Sequence, residues 1–448
     1  MKRLLTLAAL GLCFPSLALA NTPDDIQGLG ARANAMGGAG TALSEDFAAT
    51  HYSPANLAYC RESSISLALR HTIYELELDS DDPDDPDVKE LRNQTRTTIG
   101  VCNRLPFGFA LGIVFGVGLQ NPMTLDQGTL DEQPQFLLYG EPLEQLSIQL
   151  GLAYQIVDQL SIGIGASILV NSGLGIDANI PVVTADSETL STRIRWDLSP
   201  TASIIASAHV RPIPELRFAL TYRSALFHDL DAPATIEVNA AGAFLDVPIL
   251  IESAAWYSPQ QIAFGATYSF RDMLTFAFDF SWQDWSKHPG PFLVVTPNSP
   301  PGEMTVADGL SYPPREDYGF SDAFVPRIGV EFRTLEERNL AIRAGYSFRN
   351  QVAPLPTQTS NLLDSAMHSI SLGGGYDFGD DPDSANPAPG SPYVRGVDGR
   401  LSIFVRVGHM KSQTVDRPDR VANDEPLGRY TFGGNVVDAG LELTLGWF

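Results

Sequence analysis

The sequence predicts an all-β protein: a transmembrane antiparallel β-barrel of about fourteen strands. Three observations carry this. Long segments alternate strictly between large apolar and small residues. The connections between them alternate between short and long. Beyond residue 20 there is no apolar run long enough to cross a bilayer as a helix.

Composition narrows the class first. Lys+Arg number 29 and Asp+Glu 53 in 448 residues, a formal charge of −24. That sign repels phosphate and argues against nucleic acid as a partner. A hydrophobic content of 44% is too high for disorder over most of the length. A charged content of 18%, beside 39 glycines, is low for a water-facing surface.

Residues 1–20 read as an export signal: Lys2 and Arg3, an apolar stretch over 4–14, then Ala18-Leu19-Ala20 before Asn21. Cys13 lacks a lipoprotein context, because Leu12 stands where a small residue is needed. Residues 21–62 form the expected hatch and 63–448 the barrel. The glycine run from Gly28 has no preceding strand and no βαβ surroundings, which argues against a dinucleotide loop. A flexible linker is the plainer alternative, but small residues suit a compact plug packed backbone to backbone.

Strands are expected near 63–77, 93–103, 107–119, 145–156, 160–171, 193–210 and 216–228. The others are expected near 259–270, 273–286, 324–333, 339–350, 367–378, 401–411 and 435–448. In the third, Phe107, Phe109, Leu111, Ile113, Phe115, Val117 and Leu119 alternate with small residues, Val114 being the one large exception. Period two over this length means strands with one apolar face. The other face is mostly Gly, Ala, Ser and Thr with isolated charges such as Asp279, Arg343 and Arg406. A soluble sandwich would charge that face, whereas a barrel with lipid outside and a crowded lumen would not. Closure also satisfies the backbone groups that an open sheet in lipid would leave unpaired. An even strand count puts both termini in the periplasm, with short turns there and long loops outside. The 379–400 connection breaks that rule. The chain ends in Trp447-Phe448, as outer-membrane barrels commonly do, although Phe448 falls out of phase with the alternation.

Residues 28–58, GLGARANAMGGAGTALSEDFAATHYSPANLA, resemble the N-terminal segment of the FadL/TodX family of outer-membrane hydrophobic-compound transporters. The matching positions include Gly30, Met36, Gly37, Gly38, Asp46, Pro54, Ala55 and Leu57. The segments FSWQDWSKH, VPRIGVEFR, LAIRAGYSFRNQVAP and HSISLGGGYDF are also similar to that family. The family's Asn-Pro-Ala hatch motif reads Ser53-Pro54-Ala55-Asn56 here, with serine in place of the first asparagine. Trp282 and Trp285 are read as an interfacial belt.

The resemblance implies passive transport of long-chain fatty acids or related hydrophobic molecules, by capture on outer loops, binding in the lumen and movement of the hatch. It places gating at Gly37, Gly38, Ser53, Pro54 and Ala55. It places lateral exit at the third strand, where Gly108, Gly112, Gly116 and Gly118 put bare backbone on the lumen face. Room for the plug is the competing reading of those glycines. Aromatic-hydrocarbon uptake is the alternative function; a general porin or an adhesive barrel is less favoured. No hydrolase constellation appears in the sequence, so no enzyme, cofactor or metal is expected.

The inward Arg343, Arg349 and Arg406 are candidates for a ligand carboxylate, the alternative being ion pairs within the lumen. The expected partners are a hydrophobic small molecule, outer-membrane lipid and lipopolysaccharide, and the barrel-assembly machinery, with the protein a monomer in the outer membrane of a Gram-negative bacterium. The acidic run 79–87 could hold calcium, although its prolines favour a solvated loop. Cys60, ending the hatch, and Cys102, ending the second strand, should both lie at the periplasmic rim in an oxidising compartment. A disulfide or two separate buried thiols are the open alternatives.

Overall fold

A computed structural model describes residues 19–20, 22–60, 63–80, 91–119, 135–139, 146–170, 178–183, 189–194, 201–240, 243–271, 273–288, 294–297, 319–334, 340–356, 362–378, 397–417 and 428–447. The barrel strands are β1 (Ser63–Ser80), β2 (Gln94–Arg104), β3 (Phe109–Gly118), β4 (Leu146–Val157), β5 (Leu160–Val170), β6 (Thr201–Ile213) and β7 (Leu216–Arg223). They continue as β8 (Gln261–Phe270), β9 (Leu274–Gln283), β10 (Ala323–Arg333), β11 (Leu340–Arg349), β12 (Met367–Phe378), β13 (Val397–Arg417) and β14 (Gly428–Trp447). These fourteen close in chain order. β14 pairs antiparallel with β1, a closure that an up-and-down barrel reaches with an even count.

The alternation sorts the faces as the sequence requires. Leu67 and Leu69 on β1, Phe276 and Phe278 on β9, and Ile370 and Leu372 on β12 are exposed on the outer, lipid-facing side. Their sequence neighbours Ser66, Thr275, Ala277 and Ser371 are buried toward the lumen.

Four expectations change. The third strand begins at Phe109, because Pro106 ends the β2 pairing. The Leu105 amide donates to the Phe109 carbonyl at 2.8 Å across a tight turn. Phe107 and Gly108 take left-handed φ values of 64° and 81° in that turn. Gly108 therefore lies in the turn and not on the lumen face. Second, the segment read as a long outer loop after residue 228 holds two strands, Leu226–Ala240 and Ala243–Ser258, paired with each other outside the barrel path. In the sequence, acidic residues at 229, 231, 237, 246 and 252 interrupt any apolar alternation, which is why the alternation rule overlooks this hairpin. Third, β6 starts at Thr201, while Thr189–Ile194 pairs with Ala178–Val183. Fourth, Trp285 is fully buried beside Tyr257, not interfacial.

Leu19–Ala20 pairs parallel with Trp256–Tyr257. Residues 1–18, the acidic residues 81–87, the 379–396 connection and Phe448 lie outside the described residues.

The hatch fills the lumen with α1 (Pro23–Gln27), α2 (Ala31–Ala35), α3 (Ala49–Tyr52) and a 3-10 turn, Pro54–Tyr59. Its fit is backbone against backbone. Gly37 has φ 72°, and a Cβ there would lie 2.7 Å from the Tyr346 amide nitrogen. A Cβ on the facing Gly345 of β11 would strike the Gly37 amide nitrogen. Gly163 of β5 meets Pro54 and Ala55 in the same way. Glycine is required on both sides of the Gly37–Gly345 contact and on the wall side at Gly163.

Replacing Gly345 with valine is expected to expel the 36–38 turn while leaving the barrel closed, since the outer face is untouched. Overpacking of this kind typically costs about 1–3 kcal/mol. Hydrogen exchange should rise in residues 31–43 with unchanged heat-modifiable mobility on electrophoresis. Unchanged exchange in 31–43 would contradict the packing account.

Candidate functional site

Thr22 caps α1, its hydroxyl accepting from the Asp25 amide at 3.3 Å, and Pro23 supplies the preset φ of the first turn. The cap sets two successive carboxylates against opposite walls. Asp24 accepts from Gln149 at 2.7 Å and Ser147 at 3.1 Å on β4, with Arg96 of β2 at 3.8 Å. Asp25 accepts from Arg223 of β7 at 2.9 Å and from Gln261 of β8 at 3.1 Å.

His51 completes the Asp25 cluster. Arg223 donates to its Nδ1 at 3.0 Å and to its carbonyl at 2.7 Å, and its Nε2 lies 4.0 Å from Asp25. Burial, followed by the Arg223 charge, pushes the imidazole down to about 4. Burial pushes the Asp25 carboxyl up, but Arg223, His51, Thr22 and Gln261 outweigh it and hold it below the usual range.

Other contacts pin the remainder of the hatch. Arg32 forks onto Glu331 of β10 at 2.9 and 2.8 Å. Glu45 pairs with Arg217 at 2.7 Å and with Arg211. The Ala31 amide donates to Glu442 at 2.7 Å and the Thr41 amide to Asp279 at 2.8 Å.

Each expected hatch residue has a definite place. Gly37 and Gly38 are the close approaches to β11 and to Arg327. Pro54 starts the 3-10 turn. The Ala55 amide donates to Ser207 at 2.8 Å, and its carbonyl accepts from Ser161 at 2.8 Å. Ser53 is fully buried, and its hydroxyl has no partner among the described residues. The pinning amide is instead Asn56, three positions on. It donates to the Thr41 and Ser44 carbonyls, each at 2.9 Å, and meets His209 through Oδ1. Asn56 stands in the Ser-Pro-Ala-Asn run, but its acceptors Thr41 and Ser44 are distant in sequence and are brought to it only by the fold.

Above the hatch lies a cavity of about 130 Å³. Its lining mixes Asp25, His51 and Tyr52 of the hatch with Arg327, Arg406 and Tyr139. The three arginines expected to hold a ligand carboxylate are paired. Arg343 is absent from the cavity lining and donates to Glu331 at 2.6 Å. Arg349 forks onto Asp364 at 3.1 and 2.7 Å, and Arg406 holds Asp438 with Nε at 2.8 Å. Arg343 faces Glu331 directly across the ladder, as Arg406 faces Asp438. The ion-pair alternative therefore describes them.

Arg327 differs. Its cross-strand partner is Asp279, but Thr41 of the hatch occupies that carboxylate. Arg327 donates to Ser281 at 3.0 Å and makes no salt bridge among the described residues. Arg70 lies nearby in character, donating to the Gly28 carbonyl at 3.1 Å and standing over Phe404.

Beyond the cavity is an apolar layer. Leu137, Leu138, Trp285, Phe320, Val325 and Val352 form one cluster. Phe136, Met367, Met410, Tyr430 and Phe432 form another.

The β3 glycines accept the hatch. A Cβ on Gly112 would strike Thr50, and one on Gly116 would strike Arg96. β3 pairs without a register shift with β2 over 110–118 and with β4 over 109–116. No gap opens beside it in this state. Cys60 and Cys102 form a disulfide with Cα atoms 6.8 Å apart, tying the end of the hatch to β2.

The family described as outer membrane protein transport protein (OMPP1/FadL/TodX) matches residues 20–384. No curated relative matches the sequence. A crystal structure of a Pseudomonas aeruginosa FadL homologue is similar, with 14% identity, a TM-score of 0.54 and coverage of 97% of this chain and 99% of that one. The P. putida toluene transporter TodX is 14% identical with a TM-score of 0.55, covering 95% and 99%. The CymD monoaromatic hydrocarbon channel is 15% identical with a TM-score of 0.52, covering 94% and 97%. At these identities the likeness concerns the fold.

Acid should loosen the hatch. His51 is neutral when docked, with a value of about 4 against 6.5 when released. Its contribution is complete above 6.5 and falls as pH drops toward 4, by on the order of 1–2 kcal/mol at pH 5. The Asp25 contribution is lost only below 3.8. The protection factors of residues 22–28, taken relative to the intrinsic exchange rate at each pH, should therefore fall between pH 7 and pH 5, and His51→Gln should flatten that dependence. Separately, thiol labelling of the unfolded, unreduced mature chain should find neither Cys60 nor Cys102 free; two free thiols would refute the bond.

Proposed function

Because the chain belongs to the outer-membrane transport protein family that includes FadL and TodX, we propose that it carries amphipathic hydrophobic molecules with an anionic head, long-chain fatty acids being the best fit, passively across the outer membrane. The observation that carries this reading is Arg327. A buried guanidinium is costly unless compensated, and here Arg327 makes no salt bridge with its cross-strand Asp279, whose Oδ2 accepts from the Thr41 amide of the hatch. A ligand carboxylate reaching the cavity supplies the missing charge, with the fork geometry that arginine favours. The apolar layer above receives the tail.

A neutral aromatic hydrocarbon is the second reading. The TodX and CymD structures are named for toluene and monoaromatic hydrocarbon, and the Tyr257, Trp285, His288 and Phe320 rings stack in the upper layer. Such a ligand would use that layer and leave Arg327 unpaired.

Transport requires movement. Outer loops capture the ligand, the cavity holds its head, and the hatch shifts. Lateral exit beside β3 begins when Thr50 and Leu57 withdraw from Gly112 and Gly151, contacts that otherwise brace this wall. The disulfide keeps the Cys60 end on β2 throughout, so the moving portion lies toward α1 and α2. The lipid-facing band has outer-membrane lipid and lipopolysaccharide as its surroundings, and insertion falls to the barrel-assembly machinery.

Uptake of a labelled long-chain fatty acid is measured in cells lacking their own transporter. Arg327→Gln should lower it about tenfold or more, since charge-assisted hydrogen bonds contribute about 1.5–3 kcal/mol, while toluene uptake stays within twofold. Equal loss of both ligands, with the barrel folded, would assign Arg327 to structure. No fatty-acid uptake by the unsubstituted protein would refute the carboxylate reading.

A further inference from the structure

The apolar layer is closed by a piece of the chain that is not a barrel strand. Residues 135–139 lie between β3 and β4 in sequence, yet Phe136, Leu137 and Leu138 are 3%, 4% and 2% exposed. Leu137 and Leu138 pack into the cluster of Trp285, Val325 and Val352. Phe136 packs into the cluster of Met410 and Phe432, its ring centroid 6.4 Å from that of Phe432. Tyr139 touches both clusters and lines the polar cavity beneath.

The facing residues, 350–356 and 362–366, are held very differently. Asp364 accepts from both terminal nitrogens of Arg349, from the Val352 amide at 2.7 Å and from the Ala353 amide at 3.4 Å. The Lys411 amide donates to the Ala366 carbonyl at 2.9 Å, and Gln413 to Ser365 at 3.2 Å. This segment is bolted to β11 and β13 through charge-assisted bonds. By contrast, residues 135–136 make a two-residue parallel ladder with 362–363, and the Leu137 amide donates to the Leu363 carbonyl at 3.1 Å. Tyr139 packs edge-on against Tyr74, ring centroids 5.9 Å apart. Among the described residues, burial of three side chains does most of the holding.

Apolar burial is non-directional, so hydrocarbon of any origin can replace it. We propose that Phe136, Leu137 and Leu138 occupy an apolar ligand site and do not form its wall. The ligand tail binds by displacing them, while Trp285, Val325, Val352, Met410 and Phe432 remain as the wall. Tyr139 marks the junction where tail gives way to head. Displacing the three side chains opens the apolar layer directly onto the cavity that contains Arg327. The inference rests on the transport reading and adds an intramolecular competitor to it.

The two roles predict effects of opposite sign. The full mature protein, folded in detergent and checked by heat-modifiable mobility, is titrated with the fluorescent fatty acid cis-parinaric acid. Phe136→Ser and Leu138→Ser weaken the competitor and should tighten binding about tenfold, since part of their burial no longer has to be undone. Val325→Ser damages the wall and should weaken it by a similar factor. In the unsubstituted protein the probe should speed hydrogen exchange in residues 135–139 and leave 351–353 unchanged. Weakened or unaltered binding in the Phe136 and Leu138 variants, or protection of 135–139 by the probe, overturns the proposal while the transport reading stands. Failure of the unsubstituted protein and all variants to bind the probe defeats the transport reading and this inference together.

Discussion

Contact between the hatch backbone and the barrel wall is the constraint on which the rest depends. A fourteen-stranded lumen is too wide for its own side chains to fill, as narrower barrels do. This chain fills it with a separate plug, and the plug must lie close. Gly37 against Gly345, and Pro54 and Ala55 against Gly163, bring main chain to main chain. At that separation no side chain intervenes, so the wall residues at those contacts are fixed as glycine. The outer face is then free to be uniformly apolar. The two-faced alternation of the strands thus follows from the hatch as much as from the lipid.

Close packing also decides the electrostatics. Water is displaced from the lumen, and each arginine there needs a carboxylate or an array of acceptors. Register supplies several of these pairs, Glu331 with Arg343 and Arg406 with Asp438. The hatch supplies others, Asp25 with Arg223 and Glu45 with Arg217. At one further cross-strand pair, Asp279 and Arg327, the hatch bonds the acid through the Thr41 amide and no salt bridge forms. Docking of the hatch therefore adds partners to much of the lumen, while Arg327, among the described arginines that line the cavity, makes no salt bridge.

Much of this was legible in the sequence, and the limits have physical causes. Period-two alternation located every barrel strand, because lipid on one side and a plug on the other leave few exceptions. It overran at Phe107, where an apolar residue continues the pattern but Pro106 has already ended the pairing. It missed the strands within 226–258, since a strand outside lipid keeps no uniform apolar face. The inward arginines were readable individually, but their partners were not. Pairing depends on register between strands and on where the hatch lies, and neither is local information. The same gap misplaced Trp285, whose surroundings include Tyr257 from a hairpin that alternation did not reveal. Asn56 was visible as a residue but not as a role, for its acceptors Thr41 and Ser44 are brought to it only by the fold of the hatch.

A passive channel for hydrophobic molecules faces an opposing demand: the site must be apolar enough to accept its cargo and weak enough to release it. Burying a chain of a dozen methylenes at about 0.8 kcal/mol each would produce a trap if nothing opposed it. An empty apolar cavity in the lumen would be such a trap. Side chains of the protein's own, held mainly by the same non-directional burial, remove the problem. Each increment of ligand burial is offset by the loss of Phe136, Leu137 or Leu138 burial, so net affinity is set by the difference. The polar end then decides direction. A head drawn to Arg327 lies against the hatch, next to the Asp25, Arg223 and His51 cluster that holds α1 in place. On the proposed reading, a negative charge arriving there would compete with Asp25 for Arg223, and occupancy would weaken the hold of the hatch.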